Sequence, residues 1–278
     1  MAGRYRYVVV DVFTDTPLEG NPLGVFTDAR EIPDELMQRL ARELNLSETV
    51  FVLPKEGAGD VRIRIFTPAG ELPFAGHPTL GAAFVLGLPL QLVEIRLETG
   101  RGVVPVRLER EGPRIVYGAM EQPYPSVAPF PAAAEALAAL GVERSELPVE
   151  VYDNGVAHVY VALESEQDVA ALEPDLQALG RLGLFGFNCF AGSGGRWKTR
   201  MFGVGHGVAE DPATGSAAGP LALHLVRHGQ VEAGAQIEIS QGAEIGRPST
   251  LFASADDERV SVGGSAVVVA RGEFRISG

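Results

Sequence analysis

The sequence predicts an α+β fold built from two similar domains. Three observations carry the prediction. Short strand-like stretches follow one another through turns, without the regular crossover helices of a parallel sheet. Four prolines fall between Glu121 and Pro131, which marks a domain border. One motif occurs once in each half. The border gives domains 1–120 and 121–278, with the last strand a candidate to return to the first.

The elements follow in order. The first strand runs from Tyr7 to Phe13, and Pro17, Gly20, Asn21 and Pro22 make a turn after it. Pro33 opens a helix with Asp34 and Glu35 in its first turn, where they suit the helix dipole. Leu36, Met37, Leu40, Ala41 and Leu44 form its apolar face. Thr49 to Leu53 is an apolar strand. Val61, Ile63 and Ile65 alternate with Arg62 and Arg64, so one face is buried and one is wet. Leu92 to Glu98 and Val103 to Leu108 form a hairpin around Gly100 to Gly102. An alanine-rich helix spans Pro131 to Leu140. Strands resume at Val149 to Tyr152 and Ala157 to Leu163, and close with Arg259 to Val262 and Ala266 to Arg271.

The repeat sets Arg64-Ile65-Phe66 and Glu71-Leu72-Pro73-Phe74-Ala75-Gly76-His77 against Arg200-Met201-Phe202 and Glu210-Asp211-Pro212-Ala213-Thr214-Gly215-Ser216. Each copy leads into small residues and an apolar run, Pro78 to Leu86 and Ala217 to Val226. Each half therefore holds one helix that starts at a glycine. An ungapped offset of 139, from Glu71 to Glu210, puts Phe187 opposite Glu48. The second half then offers no duplicate carboxylate.

Composition narrows the function. The chain has 278 residues, of which 46% are hydrophobic, and its net charge is -13. Such a charge argues against nucleic acid and against anionic lipid as partners. It leaves room for an anionic small substrate held by backbone N–H groups. Cys189 is the single cysteine, so neither an internal disulfide nor a cysteine zinc site is available. His77, His158, His206, His224 and His228 show no metalloprotease spacing. His224 and His228 lie four apart with no acidic residue in their segment, and read as surface or core residues. The apolar run near the first residues is too short for a signal peptide, and no stretch reaches membrane-spanning length. The expected location is cytoplasmic.

The two helix starts carry the chemistry. The first N–H groups of a helix point outward without internal partners, and the dipole adds positive charge there. Gly76 and Gly215 let backbone approach a ligand closely. Facing one another across a domain cleft, the two starts would cage a carboxylate or an enolate-like charge. Ordinary helix capping, with Thr214 or Ser216 as N-cap and glycine for tight packing, explains either segment alone; two matching copies favour the cage. His77 follows Gly76, where an imidazole can give or take a proton, or simply pack. Asp211 stands beside the other start, as a substrate anchor or as a turn former before Pro212. Glu48, in Asn45-Leu46-Ser47-Glu48-Thr49, precedes the apolar run Val50 to Leu53. Desolvation there would make it a competent base; spacing alone reads it as a solvated loop residue.

These segments also carry a resemblance. Asp11 to Asp15 with Gly20-Asn21-Pro22, Asn45 to Thr49, Phe74 to Pro78, Glu210 to Ala217, and Gln241-Gly242 with Gly246 to Ser249 resemble the PhzF-like phenazine-biosynthesis family, in order and over nearly the whole chain. The resemblance implies a diaminopimelate-epimerase-like fold, in which two similar domains each wrap antiparallel sheet around a central helix. It implies a homodimer without cofactor or metal. It assigns Glu48 as the proton-shuttling carboxylate and His77 and Asp211 as substrate-orienting groups. Gly76, Gly215, Ser216, Asn21 and Ser47 become substrate-binding residues. The implied reaction is isomerisation of dihydro-hydroxyanthranilate to an unstable ketone. Related epimerases carry a cysteine at each helix start; here His77 and Ser216 stand near those places, and Cys189 belongs to neither motif. A two-thiol racemisation is thereby excluded. A lyase or hydratase on another small hydroxy or amino acid, or a non-catalytic binder, would use the same scaffold.

Overall fold

A computed structural model describes residues 3–276. The chain divides into two units. The first takes the chain up to Glu121 together with the segment from Gly263; the second is Gln122–Val262. In the first stretch lie β1 (Gly3–Val12), β2 (Asn21–Phe26), α1 (Asp34–Leu44), β3 (Glu48–Leu53), β4 (Val61–Phe66), β5 (Glu71–Leu72), α2 (Gly76–Leu90), β6 (Glu94–Thr99), β7 (Gly102–Glu111) and β8 (Arg114–Gln122). There follow β9 (Ser126–Pro129), α3 (Ala133–Leu140), β10 (Glu150–Asp153), β11 (Ala157–Ala162), α4 (Glu166–Ala170), α5 (Leu176–Arg181), β12 (Gly186–Ser193), β13 (Arg196–Gly203), β14 (Val208–Asp211), α6 (Gly215–Arg227), β15 (Ile237–Gln241), β16 (Ser249–Ala255), β17 (Val260–Gly264) and β18 (Ala266–Ile276). The proline-rich stretch is not a bare linker: it holds β9, which pairs with β10.

In the first unit the strands pair in the order β18, β1, β2, β3, β4, β6, β7, β8, with β5 folded back on β4. Pairing is antiparallel except for β2–β3 and β4–β6. α2 is apolar on every side, and such a helix must be covered on every side. It packs against β1, β2, β3, β6, β7 and β18. Gly81 brings it close: a Cβ there would lie 2.6 Å from Leu23 Cδ2 and 2.7 Å from Val12 Cγ2. α1 is amphipathic and buries Met37, Leu40 and Ala41 against Phe26, Phe51 and Phe66. Asn45, left-handed at φ 51°, ends it and turns the chain into β3.

The second unit repeats this plan. Its order is β9, β10, β11, β12, β13, β15, β16, with β14 on β13 and parallel pairs at β11–β12 and β13–β15. Its central helix, α6, is buried from Gly215 to Leu225.

The repeated residues have a structural reason. Arg64 grips Glu71 with two hydrogen bonds of 2.7 Å, and Arg200 grips Glu210 with two of 2.9 and 2.8 Å. Each guanidinium carbon also sits 5.1 Å from the ring centre of the phenylalanine two residues on. A forked arginine–carboxylate pair fixes direction as well as distance, so each pins the loop that leads into a central helix.

Strand register corrects the ungapped offset. Thr49 pairs with Phe66, and Phe187 pairs with Phe202. Phe187 therefore corresponds to Thr49, and Gly186 corresponds to Glu48. The offset is 138 at Glu48 and Gly186, falls to 136 at Phe66 and Phe202 because the β12–β13 connection is two residues shorter than β3–β4, and then rises to 139 at Glu71 and Glu210. The rise is taken up by a 3-10 turn, Val204–His206, after β13.

Candidate active site

Glu48 opens β3, beside Leu23 of β2. Its side chain is 17% exposed, and Oε2 lies 3.4 Å from His77 Nδ1. This is not the solvated loop glutamate that spacing alone suggests. His77 is the second residue of α2 and is buried. Burial pushes its pKa down to about 3, because a low-dielectric site disfavours the imidazolium. The Glu48 carboxyl group thus stands beside a neutral ring. His77 Nε2 is buried without a hydrogen-bond partner among the described residues, so the ring keeps one nitrogen for a ligand. Asn21 opens β2, buried, two residues before the register partner of Glu48. Ser47 is half-buried in the turn just before Glu48.

The start of α2 shows why these residues recur. Thr79 N–H and Thr79 Oγ1 both donate to Ala75 O, at 3.3 and 2.8 Å. Pro78 has no N–H. Helix geometry leaves Gly76 and His77 as the outward donors.

At α6 the outcome is the same by other means. Ala217 and Ala218 donate to Thr214 O at 3.0 and 3.1 Å, which leaves Gly215 and Ser216 as the outward donors. Asp211 is buried, and its Oδ2 accepts from Thr214 Oγ1 at 2.6 Å. Gln241 locks this corner: Nε2 donates to Asp211 O at 2.8 Å and to Thr214 Oγ1 at 3.0 Å, and Oε1 accepts from Thr214 N at 3.2 Å. The first-turn carbonyls are gripped as well. Gln122 donates to Gly215 O at 2.8 Å, Asn154 to Ser216 O at 3.0 Å and Tyr160 to Ala217 O at 2.7 Å.

Of the residues singled out from sequence, Glu48 and His77 come together in the first unit, with Gly76 beside them. Asp211, Gly215 and Ser216 gather in the second. Sequence reading missed His158 and Asn188, which surround Ser216. His158 Nε2 is 3.0 Å from Ser216 Oγ, and Asn188 Nδ2 is 3.3 Å from His158 Nδ1. The strand register could have found them, because His158 pairs with Gly186, the counterpart of Glu48.

A second cluster was also hidden. His224 and His228 do have an acidic partner, but it comes from β10. Glu150 Oε2 lies 3.3 Å from His224 Nδ1 and 2.9 Å from His228 Nε2. Their three ligand atoms lie within 4.8 Å of one another. Hydrogen bonds within the cluster already use them: Tyr152 donates to Glu150 at 2.9 Å and its hydroxyl is 3.1 Å from His224 Nδ1. Cys189 is buried in the second unit's core, where desolvation pushes its thiol up to about 12. A thiol held protonated is a poor nucleophile.

Comparison with known proteins finds relatives over nearly the whole chain. The chain is 52% identical to trans-2,3-dihydro-3-hydroxyanthranilate isomerase of Pseudomonas aeruginosa over 96% of its length and 98% of the relative's. It is 50% identical to the enzyme of the same name from Pseudomonas fluorescens, with the same coverage. Among solved structures, the PhzF-family phenazine biosynthesis protein of Bacillus anthracis superposes with a TM-score of 0.86 at 25% identity, covering 99% of this chain and all of that one. Residues 10–272 match the family model PhzC-PhzF, described as phenazine biosynthesis-like protein. The chain belongs to the PhzC-PhzF family of phenazine biosynthesis-like proteins.

Proposed function

We propose that the protein is an isomerase that moves a proton on a small cyclic carboxylic acid of the dihydro-hydroxyanthranilate kind. The observation that carries the reading is Glu48 Oε2, mostly shielded from solvent, set 3.4 Å from the buried neutral ring of His77 at a helix start. Glu48 takes a proton from carbon beside the conjugated system. It then returns the proton to another ring carbon, leaving an enol that becomes a ketone. Nothing is oxidised or reduced overall, so the step calls for no redox cofactor.

His77 and Asp211 orient the substrate. The N–H pairs of Gly76 with His77 and of Gly215 with Ser216 offset its negative charge, as helix starts do for carboxylates. Asn21 and Ser47 flank the base and complete the substrate-binding set. The 50% and 52% identities to isomerases of this name support the choice of substrate.

The test is proton NMR in D2O with trans-2,3-dihydro-3-hydroxyanthranilate. Wild type consumes the substrate and leaves deuterium on carbon. Glu48→Gln loses turnover by about 10²–10⁴-fold, the usual worth of a general base. Wild-type turnover in that variant would remove Glu48 from its role. An inactive wild type would remove the substrate.

A further inference from the structure

Ser216 is held by more than its place in the helix. Its hydroxyl meets His158 Nε2 at 3.0 Å, and all of Ser216, His158 and Asn188 are buried. Asn188 Nδ2 donates to Gly186 O at 2.9 Å. A flipped amide would set two carbonyl oxygens against each other, so that bond fixes which end of the amide faces inward. The same Nδ2 lies 3.3 Å from His158 Nδ1. Nδ1 is therefore an acceptor, and a neutral ring then carries its single proton on Nε2. Burial holds His158 neutral, with its pKa pushed down to about 3.

Glycine 186 makes this arrangement possible. A Cβ at that position would lie 2.6 Å from His158 Nδ1, closer than packed atoms tolerate. Where the first unit carries Glu48, the second carries no side chain at all, and an imidazole from the neighbouring strand fills the room.

We propose that His158 is a positioning residue: it donates from Nε2 to Ser216 Oγ and so commits the Ser216 hydroxyl to donate outward, to a carboxylate oxygen of the substrate. The opposite tautomer would take the serine proton for itself and turn only oxygen lone pairs toward an anion. The inference rests on the proposed function for the identity of the ligand, and on the second unit's own geometry for the tautomer. A merely structural histidine would fill the same space in either tautomer.

Two measurements test it. Long-range proton–nitrogen NMR of the free wild-type protein reads the tautomer directly; a protonated Nε2 with a bare Nδ1 is expected. A proton on Nδ1 would overturn the relay whatever the substrate proves to be. Calorimetric titration with anthranilate, a non-reacting cyclic carboxylate, then tests the outward donor. Ser216→Ala and His158→Phe should each bind about tenfold or more weakly, the scale of a hydrogen bond to a charged group. The double variant should bind no more weakly than Ser216→Ala. His158→Gln, whose amide N–H can still donate to Ser216, should stay within about threefold of wild type and also guards against a misfolded phenylalanine variant. Additive losses, or a His158→Gln protein as weak as Ser216→Ala, would reduce His158 to a packing residue. Absence of anthranilate binding to wild type would overturn the outward-donor role along with the proposed ligand class, while the tautomer would still be read on its own.

Discussion

A buried ionisable side chain is defined by what it is denied. His77, His158 and His224 are denied water, and burial pushes their pKa values down to about 3, about 3 and about 4. For His224 desolvation outweighs even the Glu150 carboxylate 3.3 Å away. Nitrogen shifts of the side chains should therefore show all three rings neutral at pH 5, where a solvated histidine is mostly charged. A second proton on any of them at that pH would mean that water reaches the ring. Of these three, only His77 was legible in sequence as a site residue, since it follows Gly76 in a recurring motif. The partners were not. Glu150 and His228 are far apart along the chain, and their 2.9 Å contact depends on β10 lying against the end of α6. Local pattern carries no record of that packing.

Helix α6 shows how an element compensates for its own sequence. Pro220 lies inside the helix and has no N–H. The carbonyl four residues back, Ser216 O, would be left without its helical partner. Asn154 supplies one from outside the helix, at 3.0 Å. Asn154→Ala should destabilise the protein by about 1–3 kcal/mol, the cost of orphaning a buried polar group. In a Pro220→Ala background the loss should shrink, because the new N–H can take the carbonyl. Denaturant titration of the four proteins in a double-mutant cycle reads the coupling; strictly additive losses would show that Asn154 acts elsewhere. Elements with a strong periodic signal, such as β4 and α1, were visible from alternation and from the helical apolar face. β12 was not read. Phe187 to Ala191 are buried without a wet face, and a strand covered on both sides loses the alternation by which strands are recognised.

At the scale of the whole molecule, one strand plan appears twice and has diverged at the site. Glu48 has become Gly186, and His77 has become Ser216. The repeat was legible because the arginine–glutamate clamps preserve its residues. Its register was not, because a shorter β12–β13 connection and the 3-10 turn after β13 shift the count in opposite senses. The return of the chain was also only partly visible: β18 pairs along β1 from Gly3↔Ile276 to Val12↔Ala266, a contact between the two extremes of the sequence. The buried histidines of both units add up to one property of the folded state, its sensitivity to acid. Unfolded, each ring takes a proton near pH 6.5; folded, His77, His158 and His224 refuse it until about pH 3–4. Between those values the unfolded chain binds more protons, so stability rises with pH and is lost as pH falls. The Glu150 carboxyl, held below its usual range despite the opposing effect of burial, by hydrogen bonds from His228 and Tyr152, acts in the same direction lower on the scale. Each histidine contributes a slope of up to about 1.4 kcal/mol per pH unit in that window. Urea midpoints should therefore fall steadily from pH 6.5 to pH 5 and change far less between pH 7 and pH 8. A midpoint that holds constant down to pH 5 would mean that the folded protein takes up those protons as readily as the unfolded chain, against the burial on which the neutral His77 and the His158 relay both depend.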